Sequence, residues 1–101
     1  MLIFVPGAIQ ACRAESLPYL AHIRVDESGL DLEGPQRFAK ALCDELGIEF
    51  VDLRQALHAD RCLYQPQNMH WLAEAHERVA AFLVEKLVSR TVSQHLQCAG
   101  P

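Results

Sequence analysis

The chain has 101 residues and a mass of 11.3 kDa, enough for one domain or a part of one. Half of its residues are hydrophobic and 22% are charged, a globular rather than disordered composition; a net charge of −4 with scattered Lys and Arg leaves no basic stripe for a nucleic-acid backbone. No apolar run approaches the roughly 20 residues that cross a bilayer, so no membrane span is expected.

The first element is the run Leu2-Ile3-Phe4-Val5, closed by Pro6-Gly7, which predicts a buried strand stopped by a turn. A strand apolar on both sides needs neighbours on both edges and layers above and below. Opening a chain with one therefore suggests that a preceding part is missing. Residues 1–6 are too short and lack the basic start of a signal peptide, so the chain as written reads as soluble and cytoplasmic; an exported parent is a second reading.

Residues 8–20 fit either a short helix up to Pro18 or a loop carrying function, and 19–25 a short irregular or extended piece. Residues 26–34, with Glu27-Ser28-Gly29 and Asp31-Leu32-Glu33-Gly34, are an acidic, turn-rich connection. Pro35 suits a first helical position and Gly47 a C-terminal cap, so a helix is expected over 35–46. Its buried stripe would be Phe38, Ala41, Leu42 and Leu46, bordered by Cys43, with Arg37, Lys40, Asp44 and Glu45 toward water.

A second strand follows the Gly47 turn over 48–51, and Asp52 is placed to cap a short helix over 53–57. The loop 58–67 leads to Asn68-Met69-His70-Trp71. From Trp71 to Ser89 there is no Gly or Pro, and Leu72, Ala75, Val79, Ala80, Leu83 and Leu87 recur at helical spacing. A long helix is expected there, with Asn68 as its N-cap and His70 and Trp71 at its entrance. The domain portion spans 1–89, and 90–101 reads as a disordered tail.

Cys12, Cys43, Cys62 and Cys98 form no C-x-x-C pair and have no companion His at ligand spacing. The default expectation is four reduced thiols, which export of a parent protein would reopen. No cofactor and no metal are implied. A metal site from His58, Asp60, His70 and His76 is weighed and set aside, because His70 and His76 lie six apart, off the i, i+4 spacing that stacks two ligands on a helix.

The order of these pieces, a strand ending in Pro, a helix ending in Leu-Gly-Ile, a strand ending in Val-Asp-Leu, a Leu-Tyr loop and then His-Trp before a long helix, resembles the C-terminal half of an SGNH hydrolase. That is the GDSL-like esterase superfamily, and the likeness is strongest to its branch related to alginate and peptidoglycan O-acetylation. The resemblance implies an α/β fold: part of a three-layer αβα, flavodoxin-like arrangement with a short parallel sheet and a long C-terminal helix. It also implies that His70 is the general base, with Trp71 the adjoining aromatic and His76 the second histidine. Asn68 falls at the family's acid position, where an Asp is usual; Ala75 stands where Gly is usual, and Leu72 where Asn is frequent.

The family's Gly-Asp-Ser nucleophile block and its Gly and Asn oxyanion donors have no counterpart here. Ser16, Ser28, Ser89 and Ser93 lack that context, Ser28 in Glu-Ser-Gly being the nearest substitute. The expected function is therefore that of a piece of an acyl-ester hydrolase or O-acyltransferase, carrying the histidine block and inactive alone. Its substrate in the full-length parent would be an acyl ester, O-acetylated carbohydrate included. The alternative is a small noncatalytic α/β protein that forms a homo-oligomer, or binds a partner, through the exposed edge of the 2–5 strand.

Overall fold

The computed structural model describes residues 1–66, 68 and 70–98, with side chains through residue 93. Strand β1 (Leu2–Phe4) is followed by α1 (Ala8–Ala11), α2 (Arg13–His22), a 3-10 turn (Glu27–Gly29) and α3 (Gly34–Leu46). Then come β2 (Phe50–Asp52), α4 (Arg54–Leu57) and α5 (Ala73–Cys98). The two strands pair in parallel with Leu2 opposite Phe50, Ile3 opposite Val51 and Phe4 opposite Asp52. The chain is thus mixed α/β with a short parallel sheet and a long C-terminal helix.

Local sequence explains most of these boundaries. Pro35 lies in the first turn of α3, where a missing N–H costs nothing, and Gly47 ends the helix at φ 67°, a left-handed conformation open to glycine. Asp52 ends β2 with its carboxylate accepting the Arg54 backbone N–H at 3.0 Å and the Arg54 Nε at 2.8 Å; α4 starts at Arg54, so Leu53 and not Asp52 occupies its cap. The 8–25 region is more helical than its sequence implies: α2 runs through Pro18, an interior position at which the ring leaves the Ala14 carbonyl without its i+4 donor.

The core is small. Val51, Leu53, Ala56, Leu57, Leu63, Tyr64, Ala75 and Val79 pack around Cys12, with Trp71, Phe82 and Leu83 half-buried at its margin. Around this cluster several expectations are corrected. The 2–5 strand is not buried: Leu2, Ile3 and Val5 are exposed, because among the described residues the sheet has two strands and β1 pairs only with β2. The apolar stripe of α3 faces outward, with Phe38 73% and Leu46 61% exposed and Leu42 also exposed. The helix instead rests on the molecule through Gln36 and Cys43. Cys43 is the better fit because a small side chain permits close approach of helix and sheet.

The long helix begins at Ala73 rather than Trp71. Trp71 is spent in an antiparallel bridge to Tyr64, and the Leu72 N–H donates to the Leu63 carbonyl at 2.8 Å. The Leu72 carbonyl accepts the first helical bonds, so Leu72 and not Asn68 occupies the cap. Among the described side chains of α5, the buried ones lie in its first half. Ala75 and Val79 are buried, whereas Ala80, Val84, Leu87 and Val88 are exposed. The helix continues to Cys98, past the residue at which a frayed tail was expected.

The cysteines also differ from expectation: Cys12 and Cys62 form a disulfide, and Cys43 is a buried free thiol. At a sequence separation of 50, nothing in the spacing announces the pair.

Candidate functional site

The carboxyl end of a parallel strand is where side chains and loops converge in α/β sheets. Beyond β1, residues Val5 to Ala8 form one wall of an open cleft of about 440 Å3, and Tyr64, Gln65, His70, Trp71 and His76 form the other. His70 therefore reaches this cleft from a loop, not from the helix that follows it.

The loop is closed by backbone bonds. Gln65 N–H donates to the His70 carbonyl at 2.7 Å, and the Tyr64–Trp71 bridge fixes the stem below. Tyr64 joins the two walls: its hydroxyl donates to the Pro6 carbonyl at 2.6 Å from a buried position. Burial away from water disfavours the phenolate, so its pKa is raised above the ordinary 10.0. Trp71 and His76 meet edge to face with ring centroids 5.1 Å apart.

Asn68 is held by its neighbours on both ends. Its Nδ2 donates to Gln65 Oε1 at 2.8 Å, and its Oδ1 accepts the His70 backbone N–H at 2.9 Å. The amide orientation follows from these two bonds, which present oxygen to the imidazole. The same Oδ1 lies 3.1 Å from His70 Nδ1. An acceptor at that position selects the tautomer with the proton on Nδ1, which leaves the Nε2 lone pair free. An imidazole so oriented can take a proton at Nε2. The amide does not offset the charge that then forms, as a carboxylate would.

Other candidates lie elsewhere. The Asp52 carboxylate is committed to Arg54, which also pairs with Glu33; these two carboxylates hold the guanidinium pKa above its ordinary value. Ser16 donates to the Cys12 carbonyl within α2, Ser28 sits in the 3-10 turn, and Ser89 and Ser93 lie on α5. No serine or carboxylate is among the described residues lining the cleft. The Gly7 N–H, the nearest thing to an oxyanion donor on the β1 wall, is bonded to Gln10 Oε1 at 2.9 Å. His58, Asp60, His70 and His76 do not converge. Among the described residues the only clustered metal-ligating atoms are those of Cys12, Glu15 and Cys62, where the sulfurs are already joined.

Sequence reading missed three contributors to this arrangement: Gln65, which aims Asn68; Tyr64, which ties the walls; and the disulfide. Tyr64 had a signal in its position two residues after a cysteine in the Leu-Tyr loop, but its partner is a backbone carbonyl 58 residues away, which carries no side-chain signature. No family model, curated protein or solved structure matches this chain. No helix among the described residues is long and apolar enough to cross a membrane.

Proposed function

We propose that this chain is the histidine-bearing C-terminal part of an SGNH-type acyl-ester hydrolase or O-acyltransferase domain, in which His70 Nε2 is the general base. The observation that carries the reading is the Asn68–His70 pair at the carboxyl end of β1, with Nδ1 held by an acceptor and Nε2 left free. In such a reaction His70 would remove a proton from a serine hydroxyl as that oxygen attacks the ester carbonyl, then return it to the leaving alcohol. The serine and the oxyanion donors would come from a preceding half, which would pair along the free edge of β1 and complete a three-layer αβα sheet.

The surface supports a missing covering layer. The accessible area is 7338 Å2, about 1,600 Å2 above the roughly 5,700 Å2 expected for a compact chain of this mass. The excess is about twice the roughly 800 Å2 that one partner contributes to a standard interface. Phe38, Leu42 and Leu46 on α3, Ile3 and Val5 at β1, and Val84, Leu87 and Val88 on α5 are among the exposed apolar side chains.

The test is hydrolysis of a short-chain aryl ester by this chain assembled with an N-terminal half that carries a Gly-Asp-Ser block. Turnover should appear in the assembled protein and fall by about a thousandfold or more in His70→Ala. Equal turnover in the variant would remove His70 from the chemistry. The same exposed faces favour a second reading, a noncatalytic α/β protein that self-associates; a stable dimer of the chain alone, with no turnover in any assembly, would select it.

A further inference from the structure

The cleft is tied together by a bond that can be made and broken. Cys12 ends α1, the helix that begins at the β1 wall of the cleft, and Cys62 lies two residues before Tyr64 at the root of the His70 loop. Among the described residues, the disulfide between them and the Tyr64–Pro6 hydrogen bond join the β1 wall to the histidine wall, beside the packing of Ala8 and Ala11 against the core. Both sit on one short stretch, so the position of Tyr64, and through the Tyr64–Trp71 bridge that of His70, depends on the bond.

Cys62 is half-buried and Cys12 buried, so an exchange partner reaches the pair from the Cys62 side. A third group stands at that place. The Glu15 carboxylate on the first turn of α2 lies within 4.8 Å of both sulfurs. Thiol–disulfide exchange proceeds through attack by a thiolate, and a carboxylate beside the sulfurs repels that anion and slows its approach.

We propose that Cys12 and Cys62 form a redox-operated clamp that sets the shape of the His70 cleft, with Glu15 as the residue that keeps the clamp shut against small thiols. Opening is a two-electron exchange. A dithiol of the oxidoreductase class gives two electrons and two protons, leaves as its own disulfide, and the Cys12–Cys62 bond becomes two thiols; closing is the reverse with a partner disulfide. The inference rests on the cleft geometry and holds whether or not His70 serves ester chemistry.

Trp71 makes the clamp directly readable, because it is the single tryptophan and lines the cleft. Purified chain is treated with dithiothreitol, thiols are counted by alkylation and mass, and Trp71 emission and far-UV helicity are followed together. The expected result is gain of two alkylatable thiols, a red shift of Trp71 emission that reverses on reoxidation, and retained helicity. Amide exchange at Gln65 and Leu72 should rise roughly tenfold as the loop stem loosens. Unchanged Trp71 emission after complete reduction, or loss of helicity in parallel with it, would overturn the clamp, the second by showing a staple of the whole fold. Glu15→Gln, a change at an exposed position, should speed reduction roughly threefold to tenfold; an unchanged rate would remove Glu15 from the device.

Discussion

At the scale of single residues, the central fact is that one amide oxygen organises an imidazole. Asn68 Oδ1 serves both the backbone N–H and the ring of His70, and Gln65 prevents the amide from turning over. In the assembled hydrolase, Asn68→Asp should raise turnover near neutral pH, by about tenfold for each 1.4 kcal/mol of added imidazolium stabilisation. An unchanged rate, measured with the same aryl ester, would mean that another group orients the ring. Tyr64 makes a second residue-scale prediction. Tyr64→Phe leaves the Pro6 carbonyl without its donor and should cost about 1–2 kcal/mol in urea denaturation. Because burial raises the folded-state pKa, the unfolded phenol loses its proton first. The wild type should therefore lose stability more steeply than Tyr64→Phe as pH rises above the ordinary 10.0. Parallel alkaline slopes would refute this.

At the scale of elements, the turns and caps follow local chemistry and the packing faces do not. Gly47 carries a positive φ that a side chain strains, so Gly47→Ala should lower stability by about 1 kcal/mol, read as a shift in denaturation midpoint with unchanged slope. The first turn of α5 is pinned to the preceding loop by Glu74, which pairs with Arg61 and Arg78. Arg61, and after it Arg78, holds the Glu74 carboxyl below its ordinary 4.5. A lowered folded-state pKa gives stability that is present above that value and is lost as pH falls through the folded one. Acid unfolding of Glu74→Gln should therefore show a shallower loss below about pH 4.5 than the wild type; identical acid slopes would show that the pairs add nothing.

At the scale of the whole molecule, the chain is extended for its size. Its radius of gyration is 16.8 Å, against about 13 Å for a compact domain of this length, and α5 projects beyond the small core. Apolar side chains on α3, on the edge of β1 and at Val84, Leu87, Val88 and Val92 of α5 are left in water. Exposed apolar surface on this scale drives association. Sedimentation of the chain alone should show a concentration-dependent rise in mass that Phe38→Glu with Leu46→Glu suppresses; a monomer at every concentration would contradict it.

The sequence by itself determined what depends on neighbours in the chain. The Pro35 start and Gly47 stop of α3, the Asp52 turn into α4, the two strands and the long final helix all follow from residues a few positions apart. The pairing of His70 with Asn68 was suggested only by the resemblance, while local sequence read Asn68 as a helix cap; the contact between them is a feature of the folded loop. Tertiary structure decided whatever depends on partners distant in sequence. Periodicity shows that Phe38, Leu42 and Leu46 share a face, but which face is buried depends on what stands opposite, and here that choice fell to Gln36 and Cys43. Cys12 found Cys62, Tyr64 found Pro6, and Trp71 left the helix for a bridge to Tyr64. Each of these is set by the three-dimensional path of the chain, because a disulfide, a buried hydrogen bond and a β-bridge depend on distance in space and leave no period in the sequence.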